Sequence, residues 1–385
     1  MQLAFWIFVF LAVYPYALYP LLLMILARLF PRPSARDARV AGLSATVIVS
    51  AHNEEAVIER KLRTTLDSDF PQANLKVLVV SDASTDGTNE IVADMAQQSS
   101  LVTLLALDQH GGKTAGLNAA MELVDTDVVV FTDANAIFEG PALARLLAPF
   151  TDPGVGYVVG AAEYRSKETS QAGESEGLYW KLELAQKTLE SVFDSVVGGD
   201  GAIYAIRRGL YQPLAAEDIN DFVNPLQIIA QGYRGLFVTD ARAFEEPAHD
   251  YRKEFRRRRR IVCRTWGAFL RYGPDLRLHR FPRFLFMLLS HKVIRWFTLL
   301  WLLLALVLNL CLIRAGTLYE FTAAAFALNF ALAGLGWRQA CSGRKVTRTC
   351  SIPYYFVLSN LAALMGIFDY LRGNRYVTWK HVRSS

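Results

Sequence analysis

The sequence predicts an α/β protein with a mostly parallel central sheet, flanked by transmembrane helices, one at the N-terminal end and about three at the C-terminal end. Two observations carry this. Short β-branched runs alternate with helix-like segments through the middle of the chain, the pattern of a parallel sheet covered by crossover helices. The apolar residues that make mean hydropathy positive are concentrated at the two ends, in stretches near the roughly 20 residues that cross a bilayer.

Residues 3–27 run almost without charge up to Arg28. They lack the basic start and small-residue cleavage site of a signal peptide and read as an anchor (1–29), kinked at Pro15 and Pro20. Arg28, Arg32, Arg36 and Arg39 follow, so the positive-inside rule puts the linker 30–43 and the domain after it in the cytoplasm. Strands are expected at 46–50, 76–81, 128–132 and 155–160. Helices are expected from an Asn53 cap to residue 67, over 86–98, and over 222–231. No repeat or low-complexity linker divides 44–250, which is expected to be one domain. A basic, amphipathic segment follows at 251–292; within it 281–290 is short and apolar and reads as a helix lying in the membrane interface. Apolar stretches 293–313, 318–337 and 352–371 come next, then a basic tail, 372–385. The basic loop 338–348 is expected inside, so the first two stretches go out and back. If the third crosses fully, Arg372, Arg375, Lys380 and Arg383 lie outside, against the rule; either the tail is an exception or this stretch is not a simple span.

The net charge of +5 suits contact with membrane lipids or an anionic substrate. Its cations cluster beside the apolar stretches, without the interleaved aromatics of a nucleic-acid surface, so no nucleic-acid partner is expected. Cys263, Cys311, Cys341 and Cys350 have no metal-binding spacing and read as free thiols. Glu320, near an end, and Asp369 are the acids within the apolar stretches, which argues against a transporter.

Ligands of open parallel sheets bind beyond the carboxyl ends of the strands. There stand Ala51-His52-Asn53-Glu54-Glu55, then Asp82 to Gly87, then Asp133-Ala134-Asn135. Helix capping by Asn53, Ser84 or Asp133 accounts for any one of these; together they suit a nucleotide and metal site. Gly111-Gly112-Lys113 opens a helix-like run, where backbone amides and a lysine attract phosphate. The spacing is not that of a Walker motif.

The strings VIVSAHNEE, VVSDASTDGT, GGKTAGLNAAM and VVVFTDANA, continued by GGDGAIYAIRR, NDFVNPLQIIAQGYR and EFRRRRRI, resemble family 2 glycosyltransferases of the GT-A fold, in the membrane-bound cellulose- and hyaluronan-synthase-like branch. With the flanking apolar segments, the resemblance covers nearly the whole chain. It implies inverting transfer from a nucleotide-sugar donor, a UDP-sugar in the first instance, to a glycan acceptor in surface polysaccharide synthesis. The plasma (inner) membrane and polysaccharide export partners go with that reading. A lipid-linked acceptor (polyprenyl phosphate or ceramide) taking a single sugar is the alternative, and an inactive regulatory binding protein is another.

Residue roles follow the matching positions. Asp82 stands at the base- and ribose-binding carboxylate, with Ala51, Asn53 and Glu54 at the neighbouring strand end. Asp133 and Asn135 occupy the metal motif, implying Mg²⁺ or Mn²⁺, and Asn135 replaces the commoner acid. Lys113, Arg258 and Arg260 are placed on the diphosphate, within a frame where Arg257 replaces Gln and Ile261 replaces Trp. Gly199, Asp200 and Gly201 form the acceptor-side loop. Trp266 is either an acceptor stacking platform or an interfacial anchor. Asp221, before Phe222, stands at the catalytic base, with Asp218 in reserve. If Asp221 instead caps its helix, the dipole lowers its pKa, and burial would have to raise it again.

Overall fold

The computed structural model describes residues 1–33, 42–164, 171–245 and 250–378; Arg36, Arg39, Lys380 and Arg383 lie outside the described residues. Strands Ala45–Ala51 (β1), Leu75–Asp82 (β2), Val102–Leu107 (β3), Val128–Asp133 (β4), Ile137–Phe138 (β5), Val155–Tyr164 (β6), Tyr204–Arg207 (β7) and Arg234–Glu245 (β8) form one sheet in the order β3-β2-β1-β4-β7-β6-β8-β5. β1 to β4 run parallel, and β7 enters antiparallel between β4 and β6. The four expected strands are present. Of the others, β3 and β5 lie at the sheet edges, β7 is a short strand inside a glycine-rich motif, and β8 is a long strand between β6 and β5 that the alternation of β-branched runs did not mark.

The two-residue period of each strand feeds two cores. Ile48, Val80 and Phe131 face one; Val47, Val79 and Val130 face the other. Every residue of β1 is buried, as expected for a central strand covered on both faces.

The chain places around this sheet helices Gln2–Val13 (α1), Tyr19–Leu29 (α2), Ile58–Leu66 (α3), Thr88–Gln98 (α4), Lys113–Leu123 (α5), Ala142–Leu147 (α6), Gln171–Phe193 (α7), Asn220–Ala230 (α8), Tyr251–Asp275 (α9), Pro282–Leu288 (α10), Ile294–Trp296 (α11), Thr298–Leu312 (α12), Thr317–Cys341 (α13) and Arg348–Leu371 (α14). Among the described residues, four apolar helices are long enough to cross a membrane: Gln2–Leu29, Thr298–Ala315, Thr317–Cys341 and Arg348–Leu371.

One expectation needs correction. Asn53 caps no helix; it sits in a loop at φ 55°, and α3 starts only at Ile58. The N-terminal helix continues through its prolines, with a π-helical turn over Tyr14–Leu18 at Pro15. Its second half docks on the central domain: Tyr19, Leu23 and Ala27 are buried there, and the Tyr19 hydroxyl donates to Glu190 Oε1 at 2.9 Å. Phe284, Met287 and Leu288 on α10 are fully buried in the core that contains Phe131 and Phe222.

α14 lies against α9 at both ends. Near its start Tyr355 accepts from Arg258 at 2.7 Å, and near its end Asp369 takes both arms of Arg259 at 2.5 Å. Gly366 allows the approach, since a Cβ there would come 2.5 Å from the Arg259 carbonyl oxygen. We expect Gly366→Leu to wedge the pair apart at a cost of about 1–3 kcal/mol, read as a lowered melting temperature in detergent.

Candidate active site

The carboxyl ends of β1 and β2 are laced together. Asn53 Oδ1 accepts from the Thr85 amide at 2.8 Å, the Glu54 amide donates to Thr88 Oγ1 at 2.8 Å, and Glu55 Oε2 accepts from the Gly87 amide at 2.9 Å. Helix α4 is served by Asp86 rather than Ser84: the Thr88 amide donates to Asp86 Oδ1 at 3.1 Å. Ala51 is buried beneath these loops. Ala51, Asn53 and Glu54 do not line the cavity described below; this structure gives them the part of holding two strand ends in register.

Asp82 ends β2 and is buried. Its two oxygens accept from the Gly111 and Gly112 amides at 2.9 Å each, with His110 Nδ1 at 3.0 Å. Asp82 thus clamps the glycine loop that delivers Lys113 to the first turn of α5. Gly112 has φ 85° and ψ 161°, a region open essentially to glycine alone. A Cβ there would also lie 2.4 Å from the Val377 carbonyl oxygen, so the tail beyond α14 returns to this loop. Gly112→Ala is expected to displace the loop and cut donor affinity at least several-fold, checked by nucleotide titration.

Three charged side chains converge beyond β4. Lys113 Nζ is ion-paired with Asp133 Oδ1. A Cβ on Gly201 would sit 3.4 Å from Asp133 Oδ2, 3.7 Å from Lys113 Nζ and 3.8 Å from Asp221 Oδ2, so the absence of a side chain at Gly201 leaves the space where the three meet. Asp133 itself is the last residue of β4. The loop behind it is held by Lys61, a residue with no sequence signal, whose ammonium is buried and donates to Thr132 Oγ1 at 2.9 Å and the Ala136 carbonyl at 2.5 Å. Burial holds that ammonium well below the usual lysine range.

Asp221 is not the cap of α8. Ile219 holds that position and Asp221 lies in the first turn, fixed by the Gly199 amide donating to its carbonyl oxygen. Burial raises its carboxyl pKa; Lys113 opposes, while Asp200 and Asp133 add to the rise. The reserve candidate Asp218 is spent on structure: its buried carboxylate takes Arg271 at 2.9 Å, the Tyr272 hydroxyl at 2.6 Å and the Ala215 amide at 2.8 Å. Asp200 pairs with Lys187 at 3.3 Å and accepts from the Ala202 amide at 3.2 Å, which shapes the Gly199–Gly201 loop.

The arginine run on α9 is sorted by helical geometry. Arg257 and Arg258 hold Glu254, at 2.8 and 2.5 Å, drawing its carboxyl down to about 2 against the opposing effect of burial. Arg259 turns to α14. Arg260 lines the cavity with no hydrogen bond or ion pair among the described residues. One turn on is Arg264, which the sequence reading passed over. It donates to the Glu217 carbonyl and Thr114 Oγ1, at 3.1 Å each, and to the Asp218 carbonyl. Burial, with Arg260 alongside, brings its pKa down to about 10. The spacing 257, 260, 264 is the one signal that could have singled it out. Trp266 points elsewhere, packing on Trp296, Phe269 and Phe297 with ring centroids 5.5–5.9 Å apart. It does not line the cavity.

The cavity these groups line measures about 540 Å³. It runs from Lys113, Asp133 and Asp221, past Arg260 and Arg264, to Tyr16, Ile352 and Phe356 on two of the membrane-length helices. Among the described residues no three or more His, Cys, Asp or Glu side chains form a metal cage. Magnesium commonly takes only one or two carboxylates plus phosphate oxygens, and Asp133, which lines the cavity, fits that donor set. Asn135 lies two residues on, its Nδ2 3.5 Å from Glu245 Oε1.

Residues 46–213 match the family described as Glycosyl transferase family 2. Among curated proteins, a beta-monoglucosyldiacylglycerol synthase of Nostoc sp. is 26% identical over 181 residues, 45% of this chain and 37% of that one. An N-acetylglucosaminyltransferase of Azorhizobium caulinodans is 25% identical over 173 residues, 44% of each. The chain thus spans less than half the length of these relatives. Among solved structures, the mannosyltransferase PcManGT of Pyrobaculum calidifontis, in complex with GDP-Man and Mn²⁺, superposes with a TM-score of 0.65 at 24% identity, over 94% of this chain and 99% of that one. That likeness extends to the fold, membrane-length helices included.

Proposed function

We propose that this chain, whose residues 46–213 match glycosyl transferase family 2, transfers a sugar from a nucleotide-sugar to an acceptor carried on a lipid. The observation that supports this most is the cavity: charged groups converge at Gly201 at one end, and apolar side chains of membrane-length helices line the other. The Nostoc relative, by its name a diacylglycerol glycoside synthase, fits the same reading.

In this mechanism Asp221 accepts the proton of the acceptor hydroxyl. The hydroxyl oxygen bonds to the anomeric carbon as that carbon's bond to the diphosphate oxygen breaks, with inversion. Arg260, Arg264 and Lys113 receive the charge on the departing nucleoside diphosphate. A divalent cation held by Asp133, with Asn135 near, would neutralise part of that charge. Asp82 acts by holding the glycine loop. The domain faces the cytoplasm in this reading, where activated sugars are available, since Arg28 and Arg32 flank the membrane helix on the domain's side.

The test is donor screening with the full chain in vesicles, across UDP- and GDP-sugars with magnesium or manganese, followed by lipid extraction. Turnover of a UDP-sugar into a lipid bearing one sugar is expected. A polymer would move the reading to polysaccharide synthesis, and nucleotide binding without turnover of any donor would overturn it in favour of a regulatory binding protein.

A further inference from the structure

On another face of α9 from the cavity lies a second hollow, about 850 Å³, within the roughly 300–1,000 Å³ of small-molecule sites. Its walls are Phe255 on α9, Phe330, Ala333 and Trp337 on α13, and Tyr354 and Leu358 on α14. The lining is apolar or aromatic except for two charged residues. These are Arg252 and Arg256, one helical turn apart and both exposed. Neither side chain makes an ion pair or hydrogen bond among the described residues. Their neighbours differ: Arg257 and Arg258 hold Glu254, and Arg259 holds Asp369.

Two of the three walls are helices long and apolar enough to cross a membrane. Trp337, largely exposed beside Arg338 near the end of α13, marks the depth at which tryptophans meet headgroups. A groove walled by membrane-length apolar helices, with two guanidinium groups that have no partner among the described residues, complements an anionic phospholipid in shape and charge.

We propose that this groove binds one anionic phospholipid, an acyl chain along Phe330, Ala333 and Leu358, and the phosphate between Arg252 and Arg256. Charge complementarity selects the anionic class, because a zwitterionic headgroup would set its own cation beside two guanidinium groups. Guanidinium matches phosphate in two-pronged geometry. Gly334 supplies room: nothing lies within 4 Å of the place its Cβ would take, so a side chain there would enter the groove without a clash.

The full chain, purified in a neutral detergent, is mixed with phosphatidylglycerol or phosphatidylcholine and repurified, and bound lipid is counted by mass spectrometry of the intact complex. The wild type is expected to keep one phosphatidylglycerol and little phosphatidylcholine. The double substitution Arg252→Gln with Arg256→Gln should lower retention about thirtyfold, as two near-surface charges are lost. Gly334→Leu should lower it with both arginines in place, and both variants should melt like the wild type. Equal retention of the two lipids by the wild type, or unchanged phosphatidylglycerol in either variant, would overturn the proposal. The readout is binding, so it stands or falls apart from transferase activity.

Discussion

Asp221→Asn is expected to lower turnover by about 10²–10⁴-fold, the range of general-base catalysis, while nucleotide affinity stays at the wild-type level. The amide keeps the shape of the carboxyl group, so Gly199 and α8 stay in place, but it cannot accept the proton. Two pH effects follow from the burial that raises the Asp221 carboxyl pKa. The base works ionised, so the acid limb of the pH–rate profile should lie above the ordinary aspartate value, with turnover rising as pH rises through it. Stability moves the other way. The folded chain holds this proton more tightly than the unfolded chain, so between the two pKa values the native state binds more protons, and its stability falls as pH increases. The Asn variant lacks that dependence. The melting-temperature difference between variant and wild type should therefore grow, in the variant's favour, from acid toward neutral pH. Full turnover by Asp221→Asn would remove the base assignment.

What the sequence showed and what it hid divide along a physical line. Strand ends were legible because a buried β-branched run stops where a polar residue must face solvent or ligand, as at Asp82 and Asp133. Gly201 and Lys113 stood in strings whose order carries the family resemblance. The partners of those residues were hidden, because they arise from contacts between distant segments. Nothing local says that Asp82 will spend its oxygens on Gly111 and Gly112, or that Asp218 will be consumed by Arg271 and Tyr272. The five consecutive arginines show the same limit: their composition promises phosphate or membrane, but only the rotation of α9 decides which residue meets which. For α14, the sequence left open whether the last stretch is a simple span. The structure packs it along α9 at Tyr355, Gly366 and Asp369, contacts that no local pattern announced.

Arg260→Met is expected to change donor binding and stability in opposite directions. The Arg260 guanidinium lies in the cavity with Arg257 and Arg264 nearby and no acceptor among the described residues; burial first, then Arg257, makes it harder to hold its proton. A cation so placed is costly in the empty protein, where desolvation is not offset by a partner. It becomes favourable when a diphosphate supplies the missing charge. Methionine keeps the apolar stem packed while removing the head. The nucleotide-free variant should thus melt at or above the wild-type temperature. Its donor affinity should fall about 10–100-fold, in line with roughly 1.5–3 kcal/mol for a hydrogen bond to a charged group. Arg264→Met gives the contrast. That guanidinium also ties α9 to the carbonyls of Glu217 and Asp218, so its loss should lower melting temperature and donor affinity together. Calorimetric titration with a nucleoside diphosphate, beside thermal melts of both variants, separates the two. An Arg260→Met protein that melted lower and bound nucleotide unchanged would make Arg260 a structural residue and leave the diphosphate to Lys113 and Arg264.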